Sequence, residues 1–251
     1  MILLTIANAT FREAVRSRSF LILLLLFAVG VLLSRIVGWI SGTDGHIVTA
    51  NLVASLQAVI GVLVAVATGT ALVHNEIQQR TLYTVISRPL ARWQFVVGKF
   101  VGLCGALLLG QVAMLVIGLI YLAATGATVH GVMVIAGLLT AVEVCVMAGV
   151  SLMWTALSSP LLAAVLGLAT YALGHAVHSL PGLINHLHGW QQPVAIGLAS
   201  LIPDLGMFTF RDRAVYGEPM SQQDWIALPY AAAWILLLVV ISIMVFRRKQ
   251  L

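Results

Sequence analysis

Long apolar runs separated by short polar breaks dominate this chain. They cover about residues 20–40, 49–73, 95–122, 129–157, 160–179 and 225–246. Each reaches the roughly 20 residues that an α-helix needs to cross a bilayer. The runs are continuously apolar and far longer than the alternating segments of about ten residues that build a membrane barrel. Lipid leaves backbone groups no water to bond, so the pattern predicts an all-α, polytopic membrane protein with six transmembrane helices. Ser158-Ser159-Pro160 reads as a tight turn between the fourth and fifth spans, with Pro160 placed to open a helix.

Two segments outside these runs have their own patterns. In residues 1–18, Thr5, Asn8, Arg12 and Arg16 share one helical face, and Leu3, Ala7, Phe11 and Val15 share the other. That predicts an amphipathic helix in the membrane interface. A secretory signal peptide is the competing reading, but the run from Phe20 to about Ile40 is long for one and no clean cleavage site follows. Residues 180–224 form the longest polar interval and contain Pro181, Pro193, Pro203 and Pro219. Within it, Val194 to Ile202 is too short to span and predicts a short interfacial or re-entrant helix. Trp190, Leu201, Met207, Phe208 and Tyr216 give this outer segment apolar surface to bury, so a folded cap of short helices is expected.

A polar stretch between the second and third spans is where a soluble partner can take hold. Glu76 and Arg80 sit four residues apart, an orientation that supports a helix. Pro89 excludes helical geometry at Arg88 and stops it. Ile77, Thr81, Val85 and Ile86 fall on one face, with Gln78, Gln79 and Tyr83 turned elsewhere. The pattern predicts a helix over 76–88, outside the bilayer.

The ordered set Glu76, Arg80-Thr81-Leu82, Ser87-Arg88-Pro89, Arg92 and Gly98-Lys99 resembles the coupling region of ABC-2 type transporter permeases. The opening Thr10-Phe11-Arg12-Glu13, followed by Arg16-Ser17-Arg18, resembles the interfacial helix with which such permeases begin. Pro203-Asp204-Leu205 with Phe208 and Arg211 resembles the permeases grouped with multicopper-enzyme maturation systems. The resemblance implies an ABC-2, type V exporter-like fold in which the 76–88 helix docks into a separate ATP-binding subunit. It assigns that contact to Glu76, Arg80, Thr81, Leu82, Val85, Ser87, Arg88, Pro89 and Arg92. It also implies two copies of the ATPase and a second permease subunit, as homodimer or heterodimer, with the first and fifth spans at the seam. An ordinary basic loop is the bland alternative for the same stretch.

Composition and charge add class and orientation. Apolar residues make up 61% of the chain and charged residues 8%, against about 25% charged in soluble proteins. Ten of the thirteen Lys and Arg residues fall on one side of the six spans, with Arg35, Arg211 and Arg213 on the other. The positive-inside rule then places both termini in the cytoplasm of a plasma (bacterial inner) membrane. Asp44, Asp204, Asp212, Glu218 and Asp224 gather outside. The net charge of +5 points to no nucleic-acid partner, because the basic residues cluster at span ends.

Few residues carry candidate chemistry. Gly98-Lys99-Phe100 lacks the earlier glycine and following Ser/Thr of a phosphate-binding loop, so ATP and Mg are expected on a partner chain and no cofactor on this one. No nucleophile elbow, zinc-type motif or carboxylate pair is present, and no enzyme activity is expected. Glu143 is the acid deep in a span, a costly place for a charge. Counting from the inner ends puts Glu143 about 21 Å and Arg35 about 24 Å up their helices, so the two can pair. A neutral, hydrogen-bonded acid or a polar point on a substrate or proton path are the other readings. His175, His178, His186 and His188 lie within fourteen residues and could hold Cu or Zn, though no acid or cysteine accompanies them and interfacial histidines often only hydrogen-bond. Cys104 and Cys145 lie inside spans and read as core residues. Gly61, Ala65 and Gly69, and Gly98, Gly102 and Ala106, form small-residue stripes that let helices approach closely, within the subunit or across a dimer.

The preferred function is the membrane permease subunit of an ATP-driven ABC transporter, an exporter, in the lipid bilayer. An ABC-type transducer or scaffold acting on an extracytoplasmic partner through residues 180–224 is the alternative. A secondary transporter would need more intramembrane ionisable groups and visible internal repeats.

Overall fold

The computed structural model describes residues 2–42, 45–78, 92–184, 191–222 and 224–248. Among them the chain is all-helical, with six helices long and apolar enough to cross a membrane. In order these are α1 (Ile2–Arg16), α2 (Arg18–Ile40), α3 (Gly45–Gln78), α4 (Arg92–Ala124), α5 (Val132–Leu157) and α6 (Pro160–Ile184). Short α7 (Gln191–Ala199) and α8 (Arg211–Ala214) follow, with single 3-10 turns at Leu205–Phe208 and Asp224–Ile226, and α9 (Ala227–Arg248) closes the bundle. The spans are α2 to α6 and α9. Ser17 separates α1 from α2 by capping the second helix, its hydroxyl accepting the Phe20 amide at 3.2 Å.

Helix α5 is the centre. Every residue from Glu143 to Leu152 is buried, so neighbours surround that stretch on all sides: α3, α4, α6 and α9 all pack on it. Lipid tails are as apolar as leucine, and helices in a bilayer therefore associate through close packing and buried polar contacts. Both small-residue stripes serve this purpose inside the chain. A Cβ at Gly61 would lie 1.8 Å from Gln111 Nε2 on α4, and one at Gly69 would lie 1.9 Å from Ser151 Oγ on α5. On α4, a Cβ at Gly102 would lie 2.3 Å from the Ala7 carbonyl oxygen, and Gly98 faces Ile6 in the same way.

That second stripe places α1. The N-terminal helix packs along the first turns of α4, burying Ala7, Thr10 and Ala14 while Asn8, Arg12 and Arg16 stay exposed. The apolar face of α1 is therefore covered largely by protein.

Helices α3 and α4 contain 34 and 33 residues. At 1.5 Å per residue each is about 50 Å long, well beyond a hydrocarbon core of ~30 Å. On α3 the excess lies at its C-terminal end: the apolar run ends at Val73 and the helix continues through His74, Asn75 and Glu76 to Gln78. Val73 to Gln78 contains neither Gly nor Pro, so nothing breaks the helix where the apolar run stops. The stretch 79–91, which holds most of the expected coupling helix, lies outside the described residues.

The described part of the segment between α6 and α9, residues 191–222, folds back onto the bundle; Trp190, expected to add to its apolar surface, lies outside the described residues. Leu205, Phe208, Phe210 and Ala214 are buried, whereas Leu201 and Tyr216 remain 72% and 62% exposed. The cap therefore rests on apolar residues from 205 to 215, and Leu201 and Tyr216, expected among its core, face outward.

Overpacking a close helix contact costs about 1–3 kcal/mol. Gly102→Leu should lower the melting temperature of the detergent-solubilised protein measurably by levering α1 off α4. Gly131→Ala, whose added methyl meets nothing within 4 Å, should leave it unchanged.

Candidate functional site

The most concentrated polar chemistry among the described residues sits where the cap meets α5. Glu143 is 0% exposed. Its Oε1 accepts from His175 Nε2 on α6 at 2.9 Å, and its Oε2 accepts from Arg211 Nη1 on α8 at 3.2 Å. The Arg211 side chain is 11% exposed. The Tyr171 ring, one turn before His175, meets the imidazole edge-on with centroids 4.7 Å apart. A buried carboxylate thus has both oxygens engaged by donors, one of them permanently cationic.

A second pair lies one helical turn further along α6. His178 Nδ1 is 3.2 Å from each Asp204 oxygen. Asp204 caps the 3-10 turn that follows, its Oδ1 accepting the Gly206 amide at 3.0 Å, and its own amide donates to the Tyr230 hydroxyl on α9 at 2.7 Å. Gly206 is pressed against His178 so closely that a Cβ there would lie 2.2 Å from the histidine. At the far edge of the cap Arg213 pairs with Asp224, which also accepts the Ser221 amide at 2.7 Å. The cap is thereby fastened to α5, α6 and α9 by separate polar contacts.

Arg35 is not the partner of Glu143. Its Nη1 donates to the Thr125 carbonyl at 3.2 Å, where a cation meets an unpaired carbonyl just past the end of α4. Helix α2 packs on α3 and α4, while Arg211 approaches Glu143 from the cap. Equal depth in the bilayer does not bring two side chains together; which helices adjoin decides. The true partner is 68 residues away in sequence and reaches Glu143 only once the cap has folded. Its signal was modest: Arg211 stands among Phe208, Phe210, Ala214 and Val215, an apolar setting unusual for an exposed arginine.

The remaining candidates divide. Glu76 lies on the last turns of α3 and Arg92 opens α4. Arg80, Thr81, Leu82, Val85, Ser87, Arg88 and Pro89 lie outside the described residues, as do His186 and His188. His175 and His178 turn to different carboxylates, and among the described residues no three His, Cys, Asp or Glu side chains gather to hold a metal ion. Sequence reasoning passed over Gln57 and Gln111, whose amides join mid-bundle, Gln57 Nε2 donating to Gln111 Oε1 at 3.0 Å. Two uncharged polar residues inside adjacent spans were the available sign. Lys99 is 3% exposed, its ammonium 5.4 Å from the centre of the Phe95 ring.

The family described as ABC-2 family transporter protein matches residues 4–251. The chain belongs to that family. It is a multi-pass membrane permease component of an ABC transporter, in a family of transport components that are generally not enzymes. The match is to the ABC-2 family as a whole and does not separate the subgroup that Pro203-Asp204-Leu205 resembles. A comparison with curated proteins gave no match.

Within an ABC-2 permease, the Glu143 cluster reads as a fastening. Glu143 has no exposed surface, and each of its oxygens accepts a hydrogen bond from a different helix. Removing one partner of a buried ion pair typically costs about 3–5 kcal/mol, because the other charge is stranded, whereas replacing both by apolar groups is often neutral. Glu143→Leu and Arg211→Met should therefore each destabilise the protein strongly, and the double variant should recover most of the loss. Reversible unfolding in detergent micelles measures all three.

Proposed function

We propose that this permease is the membrane half of an ATP-driven exporter and that α3 and α4 carry the stroke of a separate ATPase into the bundle. The observation that supports this reading is the overhang of α3. It leaves the apolar span as an unbroken helix, carries Glu76 clear of the hydrocarbon, and hands over to a stretch that returns at Arg92. A rigid helix that is continuous with a span transmits displacement; a flexible loop would absorb it.

The same end of the bundle carries Arg12 and Arg16 of α1 and Arg247 and Arg248 of α9, and the positive-inside rule assigns it to the cytoplasm. The chain has no phosphate-binding loop of its own, so ATP and Mg²⁺ belong on the partner. Two permeases, identical or closely related, would assemble above two ATP-binding subunits. The long apolar side chains that α2 and α6 expose, such as Leu25, Leu32, Leu161 and Val165, support a seam along those helices.

An exposed ion pair between helical neighbours contributes only ~0.3–0.5 kcal/mol. Any large effect at Glu76 or Arg80 must therefore arise through the partner. Glu76→Ala and Arg80→Ala should leave the permease inserted and bound to its ATPase but separate hydrolysis from transport. Leu82→Asp and Val85→Asp should lose the ATPase in pull-down, since a charge would enter a buried contact. If all four bind and couple like the parent, residues 76–92 are not the coupling site.

A further inference from the structure

We propose that the cleft between α5, α6 and α9 binds one acyl chain of a glycerophospholipid from the cap-side leaflet, with the lipid's ester carbonyl held by Tyr230. This inference rests on the chain spanning the membrane and is independent of the exporter reading.

The cleft has a volume of about 520 Å³ and lies beneath the Ser200–Pro203 turn. Along α9 it extends from Tyr230 to Ile241. At 1.5 Å per residue that is ~16 Å, the depth of one leaflet in a hydrocarbon core of ~30 Å. A slot of that depth suits an extended hydrocarbon chain, which runs the length of one leaflet.

Its polar atoms are almost all engaged. Trp154 donates its indole N–H to the Thr170 hydroxyl at 3.1 Å, and Thr170 in turn donates to the Leu166 carbonyl at 2.7 Å. Ser200 donates to the Gly197 carbonyl at 2.8 Å. Among the described residues no charged side chain lines the walls, which argues against an ionic solute. The exception is Tyr230 at the cap-side mouth. Its hydroxyl accepts the Asp204 amide and, among the described residues, donates to no protein group. An apolar slot one leaflet deep, with a hydrogen-bond donor at its headgroup end, matches an esterified acyl chain. The roof continues into Asp204, which holds His178, so a bound lipid would brace the attachment of the cap to α6.

The test is photolabelling in nanodiscs of phosphatidylcholine doped with an analogue carrying a diazirine midway along one acyl chain, followed by peptide mapping. Label should concentrate on Met153 and Leu237 relative to Val116 and Ile120, which α4 exposes away from the proposed seam. Ala233→Trp, which fills the cleft from an exposed position, should abolish most label at Met153 and leave the label on α4 unchanged. Leu237→Trp is the second filling variant, read at Met153. Tyr230→Phe should weaken labelling by about fivefold, the worth of one hydrogen bond, for the ester lipid but not for its ether-linked analogue. Equal labelling of the cleft and of Val116 and Ile120 on α4 would overturn the proposal, as would labelling at Met153 that survives both filling variants. Equal loss for ester and ether lipids in Tyr230→Phe would overturn the role of Tyr230.

Discussion

An ionised carboxylate in hydrocarbon is held only if something nearby neutralises it and occupies its lone pairs. Glu143 stands in the most enclosed helix of this bundle, where every residue from 143 to 152 is buried, and it meets that condition with Arg211 and His175. The consequence reaches beyond the pair. Arg211 belongs to the cap, so the requirement to neutralise one charge draws an otherwise peripheral segment into contact with the central helix. His175 ties α6 to the same carboxylate, and His178 one turn on ties α6 to the cap again through Asp204. Three parts of the chain distant in sequence are joined at one buried acid.

Around that point the bundle is closed by shape. Gly61 and Gly69 bring α3 against its neighbours, while Gly98 and Gly102 admit α1 to the side of α4. These contacts fix α3, whose continuation past its apolar run supports the coupling reading, and α4 beside it. The bundle thus has a cap fastened at one end and the last turns of α3 at the other, with α5 packed against the cap and α3. Helix α3 packs both on α5, which carries Glu143, and directly on α8 of the cap.

Much of this was readable in the chain. Six apolar runs are enough to predict six spans, because a backbone in lipid has few ways to satisfy its hydrogen bonds. The amphipathic faces of residues 1–18 were legible, and so were both small-residue stripes, since a period of four marks one side of a helix. The choice of contact partner was not. Gly102 could face another subunit or this one, and only the packing of α1 answers that. Glu143 was legible as an anomaly, but its ligands were not, because depth says nothing about which helices adjoin. The cap was the least legible part: Phe208 is buried while Leu201 and Tyr216 are exposed, and no periodicity distinguishes them in so short a segment.

The central claim is that buried ionic contact, and not chain connectivity alone, holds the cap on the bundle. Hydrogen exchange of the backbone amides from Gly206 to Val215, measured on the permease in nanodiscs, tests it most directly. Many of these amides bond within single 3-10 turns or one short helix, which cannot protect themselves for long when isolated. The account predicts slow exchange in the parent and acceleration throughout the segment in Glu143→Leu, with the core of α5 still protected. Fast exchange in the parent, or slow exchange that persists when Glu143 is removed, would contradict it.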